Sequence, residues 1–119
     1  MTKQDFELIK DDLQTLKLSE AVFDQLENGK EVTIRYGKRE NISLGKLLFE
    51  STEKARMAVV DVWLLYAAPL TNVSPEALIN DGFNSIEEAV EGLKEYYPDI
   101  TEDSIVTVVV FNGDKIDFI

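Results

Sequence analysis

The chain has 119 residues, a length that fits one domain with a sizeable core. It contains no cysteine and no histidine, which excludes disulfides, thiol nucleophiles, thiolate or imidazole metal sites and every Ser-His or Cys-His arrangement. The formal net charge of −11 argues against broad, nonspecific binding to nucleic acid, which relies on neutralising phosphates over a large surface.

The elements follow in chain order. Phe6, Ile9, Leu13 and Leu16 recur at helical spacing in a charged background and predict an amphipathic helix before residue 15, packed as an extra lid. Leu16 to Leu18 reads as a short strand. Ser19 is an N-cap for a helix over 20–27 that turns Val22, Phe23 and Leu26 inward and ends at Asn28-Gly29. Val32, Ile34 and Tyr36 alternate with Glu31, Thr33 and Arg35, the period of a half-buried strand with one polar face. A polar loop over 37–41 leads to a strand over 47–50 and a turn over 51–54. The stretch Arg56 to Tyr66 reads as a long strand buried on both faces, with Trp63 in the core and Asp61 the exception, a paired structural carboxylate.

Ser74-Pro75 opens a short helix to about Asn80, and Asp81-Gly82 is a turn. Ser85 and Glu88 have capping-box spacing and start a helix running to Tyr97, stopped by Pro98. Ile105 to Phe111 is a β-branched strand, and Asn112-Gly113 predicts a hairpin that returns as a last strand over 115–119.

The apolar run from Met57 to Leu70 is interrupted by Asp61 and falls short of the roughly 20 residues of a membrane helix. The amino-terminal MTKQDFELIKDD lacks a signal-peptide core, so a cytoplasmic location away from the membrane is expected. No carboxylate run has calcium-loop spacing, and neither metal nor cofactor is expected. Charge is unevenly spread. Lys30 to Arg56 holds seven basic residues against four acidic ones, a local +3, while the rest carries −14. That segment reads either as solvated strand lysines or as an anion-attracting site.

Three passages together resemble the ASCH family, a branch of the PUA-like β-barrels. They are LKLSEAVFDQLENGKEVTIR, then KRENISLGKLLFES, then ALINDGFNSIEEAVEGLKEYYP. The resemblance covers about Thr15 to Phe111. It implies an α+β fold, a PUA-like mixed β-barrel of five or six strands with flanking helices. Residues 1–14 then form an extra N-terminal helix and 15–119 the ASCH domain. It also implies two classes of function. The first is binding of RNA or a modified nucleoside, with Arg35, Tyr36, Lys38, Arg39 and Lys46 as contacts. The second is enzymatic, as a ribonuclease or as an amidohydrolase of N4-acetylcytidine. For the latter, the family's lysine, threonine and acidic residue fall on Lys30, Thr33 and Asp81. The family's Gly-Asp is Gly45-Lys46 here, a reversal of charge.

A lysine acts as a base at neutral pH only where burial or a neighbouring cation depresses its basicity. Arg35 and Lys38 stand near enough in sequence to Lys30 to do so. Strict strand alternation puts Lys30 and Thr33 on opposite faces, so Lys30 is expected in an irregular entry to the strand. A protein partner on the acidic helices around 87–103 is the third reading of the same sequence.

Overall fold

The computed structural model describes every residue from Met1 to Ile119. Four helices, α1 (Lys3–Ile9), α2 (Glu20–Glu27), α3 (Pro75–Asn80) and α4 (Ile86–Leu93), flank six strands. These are β1 (Gln14–Leu18), β2 (Val32–Tyr36), β3 (Gly45–Ser51), β4 (Met57–Pro69), β5 (Ile105–Phe111) and β6 (Asp117–Phe118). The strand order is β1-β3-β4-β5-β2, with β6 paired to β4. This is an α+β fold whose mixed sheet of six strands with flanking helices answers to the expected mixed barrel of five or six strands, with a helix at the N-terminus. No helix is long and apolar enough to cross a membrane. The chain forms two compact units, one of Met1–Lys30, Asn41–Trp63 and Phe111–Ile119, the other of Glu31–Glu40 and Leu64–Val110.

In the first unit β1 runs parallel to β3, and β3 antiparallel to β4. Alternation sends Leu47 and Phe49 of β3, with Ala58 and Val60 of β4, to one buried face. Phe49 meets Phe111 edge to face at 5.2 Å, and α2 packs on β1 and β3. On the other face Leu48 and Val59 are covered by Phe6 of α1, with Leu13 and Met57 at the margin. Thr2 starts α1 by accepting the Asp5 N–H at 3.0 Å, and Asp5 reciprocates.

Arg56 fastens α2 to the turn between β3 and β4. Its guanidinium reaches Asp24 at 2.8 Å and Glu20 at 3.2 Å, donates to the Glu20 carbonyl, and lies 4.7 Å from the centre of the Phe23 ring. Glu20 in turn accepts the Glu53 N–H at 3.0 Å.

In the second unit β2 runs antiparallel to β5. Val32 and Ile34 of β2 and Val106 and Val108 of β5 join Leu70, Leu78, Ala89, Leu93 and Ile100 in one core. Ser74 caps α3 through the Ala77 N–H, and Ser85 caps α4 through the Glu88 N–H. The Glu88 carboxylate reaches back one residue further than a capping box requires, to the Asn84 N–H at 2.7 Å. Gly92 lets α4 approach Phe83 closely: a Cβ there would stand 2.6 Å from the ring.

Four sequence expectations change. The first helix stops at Ile9, and Gln14 already lies in β1, where its amide donates to the Ser43 and Lys46 carbonyls and accepts the Ser43 N–H. Those three bonds hold Gln14 extended. The Asn112-Gly113 hairpin does not form: β5 lies between β4 and β2 in the sheet, so the returning strand β6 pairs with β4 at Ala58 and Val59 instead. The last predicted turn of α4 falls away at Leu93, freeing Tyr97 to stack on Tyr36 at 5.4 Å. Trp63 is not in the core but 57% exposed, and Asp61 is exposed beside it.

Burial pushes the Glu20 carboxyl up, but the backbone N–H groups of Glu53 and Lys54, the Ser51 hydroxyl and Arg56 together hold it below its ordinary value of 4.5. A carboxylate so depressed contributes stability that is present above that value and lost as pH falls through the folded-state pKa. Glu20→Gln should therefore lower the Tm at neutral pH. The gap to the unsubstituted protein should close on acidification below about 4.5, as followed by thermal melts across pH.

Candidate nucleotide-binding site

The candidate residues in the second unit sit on β2 and the loop that leaves it. Facing residues in an antiparallel pair share a side of the sheet. The register sets Thr33 opposite Val109 and Arg35 opposite Thr107, on the side away from Val32, Ile34 and Tyr36. The polar face expected of this strand is not solvated: Thr33 is 4% exposed, Thr107 is buried and Arg35 half-buried.

Thr107 is the residue of the candidate site that sequence reasoning missed. Its hydroxyl donates to the Gly37 carbonyl at 2.7 Å and accepts the Arg39 N–H at 2.8 Å, while the Gly37 N–H donates to Ile105 at 2.8 Å. One buried hydroxyl thus shapes the loop carrying Lys38 and Arg39. The signal was available, since Thr107 is the single polar residue in IVTVVVF. Gly37 takes a φ of 83°, which favours glycine at this turn. The Arg39 side chain folds back so that Nε donates to the Tyr36 carbonyl at 3.0 Å. Lys38 projects outward, 3.8 Å from Glu40.

Asp81 caps the C-terminal end of α3, half-buried, ahead of Gly82 at a φ of 99°. Its neighbour Asn80 accepts the Glu31 N–H at 2.7 Å, which brings the end of α3 to the entry of β2. Lys30 and Lys46 belong to the first unit. Lys30 is 4% exposed, its N–H bonded to the Gln25 carbonyl at 3.1 Å beyond the end of α2. It precedes the regular strand β2, which begins at Val32. Lys46 faces Asp61 across β3 and β4 and pairs with it at 3.6 Å.

Much of the local cationic excess is thereby spent on ion pairs. Arg56 serves Glu20, Asp24 and Glu27, and Lys46 serves Asp61. A separate depression of about 350 Å³ in the first unit lies over Phe6, Leu48 and Met57 and is rimmed by Glu7, Asp11, Glu50 and Lys10. Its Lys10 is bound to Glu7 at 2.8 Å, which holds the Glu7 carboxyl below its ordinary value. An acidic rim of that kind does not suit an anion.

Thr107→Val removes the hydroxyl while keeping the shape, leaving the Gly37 carbonyl and the Arg39 N–H without their partner. The expected cost is about 1–3 kcal/mol, read from the urea midpoint at constant m. Faster hydrogen exchange at the Arg39 amide should accompany it.

No protein-family model and no curated protein matches the sequence. Solved structures do match the fold, among them the following three. The hypothetical protein PH0355 is 18% identical over 89% of this chain and 98% of its own, with a TM-score of 0.61. Protein EF3133 from Enterococcus faecalis V583, of family DUF984, is 15% identical over 98% of this chain and 90% of its own, with a TM-score of 0.65. An ASCH domain from Lactobacillus crispatus JV V101 is 10% identical over 100% of this chain and 87% of its own, with a TM-score of 0.63. Identities this low speak to backbone arrangement alone. The chain has the fold of an ASCH domain.

Proposed function

We propose that the chain binds a short single-stranded RNA segment or a modified nucleoside at the exit of β2. The observation that carries this reading is the bonding of the Gly37–Arg39 loop to the buried Thr107 hydroxyl. A loop ordered before the ligand arrives presents Lys38 and Arg39 with little further entropic cost. Lys38 and Arg39 contact phosphate, Arg35 supports them from the strand, and a base extends the Tyr36–Tyr97 stack. With a net charge of −11, the protein repels phosphate elsewhere, so the site favours a few nucleotides over a long duplex.

A second reading, the amidohydrolase, is favoured by the burial of two polar side chains, Lys30 and Thr33, since a buried polar group is costly to keep. In that reaction the resemblance makes Lys30 the base that takes the Thr33 hydroxyl proton as the oxygen attacks the acetyl carbonyl of an N4-acetylcytidine-like substrate. Asp81 positions the departing amine or relays to it the proton that Lys30 took, and water then cleaves the threonine ester, releasing acetate and restoring the hydroxyl.

Fluorescence titration of a short labelled RNA against salt tests the first reading. Affinity should fall with salt, and Lys38→Ala should reduce the slope of log K against log salt by about 0.7. Affinity indifferent to both salt and Lys38→Ala would refute phosphate contact and leave only capture of an uncharged nucleoside. Chromatography of N4-acetylcytidine incubations tests the second. Deacetylation that disappears in Lys30→Met and Thr33→Ala supports hydrolysis, and no product from the unsubstituted protein rejects it for that substrate.

A further inference from the structure

One face of the β3–β4 ladder in the first unit is only half covered. Its inner part, Leu48 and Val59, lies under Phe6 of α1. Beyond it the same face continues to Lys46, Asp61 and Trp63, since residues two apart on a strand and residues opposite across a ladder share a side. Here α1 no longer reaches. Trp63 is 57% exposed, and Leu44, just ahead of β3, is 63% exposed. A tryptophan left in water on a strand is unusual, because few side chains have more apolar area to bury.

We infer that this bare end of the β3–β4 face is where two copies of the chain meet, packed about a two-fold axis through Trp63. The charges beside the ring select the partner. Lys46 and Asp61 face each other 3.6 Å apart within one chain, so the patch carries a cation and its complementary anion. A two-fold contact sets residue i against j and j against i. Lys46 of each copy therefore lies against Asp61 of the other, while Trp63 forms the apolar centre. Two chains of charge −11 repel overall, and the Lys46–Asp61 patch itself carries balanced charge. An RNA segment suits it less well, because Asp61 stands two residues from the ring on the same face and opposes phosphate.

The test is sedimentation of the full chain across a micromolar to millimolar series, with circular dichroism confirming that each variant is folded. The average mass of the unsubstituted protein should rise toward the dimer. Trp63→Ala should weaken association at least about tenfold. Lys46→Glu and Asp61→Lys should each weaken it alone, whereas an equimolar mixture of the two should restore it, because both crossed contacts then regain opposite charges. A monomer at every concentration overturns the inference, and so does a dimer indifferent to Trp63→Ala. Failure of the mixture to recover overturns the crossed pairing. A monomer whose RNA affinity drops with Trp63→Ala would assign the patch to RNA instead.

Discussion

A slip of β3 by one residue against β4 would turn Leu47 and Phe49 off the buried face and drive Lys46 toward it. The antiparallel register Leu47↔Val60, Leu48↔Val59, Phe49↔Ala58 is therefore the constraint on which the first unit depends. It is over-determined. Side-chain period two makes every apolar residue object to a slip at once. At one end of the ladder the Gln14 amide holds the approach to β3, and at the other Arg56 bonds both its own turn and α2. The same register decides which residues α1 covers and which it leaves bare.

The second unit is organised around a different economy. Valines on β5 and the Val32–Ile34 pair make one side of its ribbon apolar, and this side receives α3 and α4. The reverse side is polar by composition but withheld from water, with Thr107 satisfying two backbone groups of the loop that follows β2. A buried hydroxyl with both a donor and an acceptor role filled costs little. It also converts a glycine-led loop, which would otherwise be mobile, into a fixed support for two cations.

Local chemistry was legible in the sequence wherever it was self-contained. Ser19, Ser74 and Ser85 cap the helices that their spacing announced, and Val32 and Ile34 face a core as alternation required. What depended on distant partners was not. Trp63 read as core because its neighbours are apolar, but whether the outer end of a sheet face is covered depends on where α1 stops. Asn112-Gly113 is an adequate hairpin turn, yet pairing needs a free strand edge, and β5 has none to offer. The basic segment from Lys30 to Arg56 looked like a cationic field, but charge on a chain does not reveal counter-ions. Asp24, which neutralises Arg56, stands more than thirty residues upstream of it. For the candidate site, Arg35 to Arg39 could be named from sequence, whereas the threonine that orders them lies on another strand.

The contact between Gly92 and Phe83 bears on how this chain can change over time. In an exposed helix interior, glycine to alanine is a gain of about 1 kcal/mol in helix propensity, which makes such glycines easy targets for stabilisation. Here the added methyl would meet an aromatic carbon at 2.6 Å, so the gain is reachable only where the ring shifts aside or has become smaller. Where the ring holds its place, the two positions are thus expected to vary as a pair, with a reduction at residue 83 preceding any enlargement at residue 92. A lineage or a selection that enlarges 92 first would then cross a less stable intermediate.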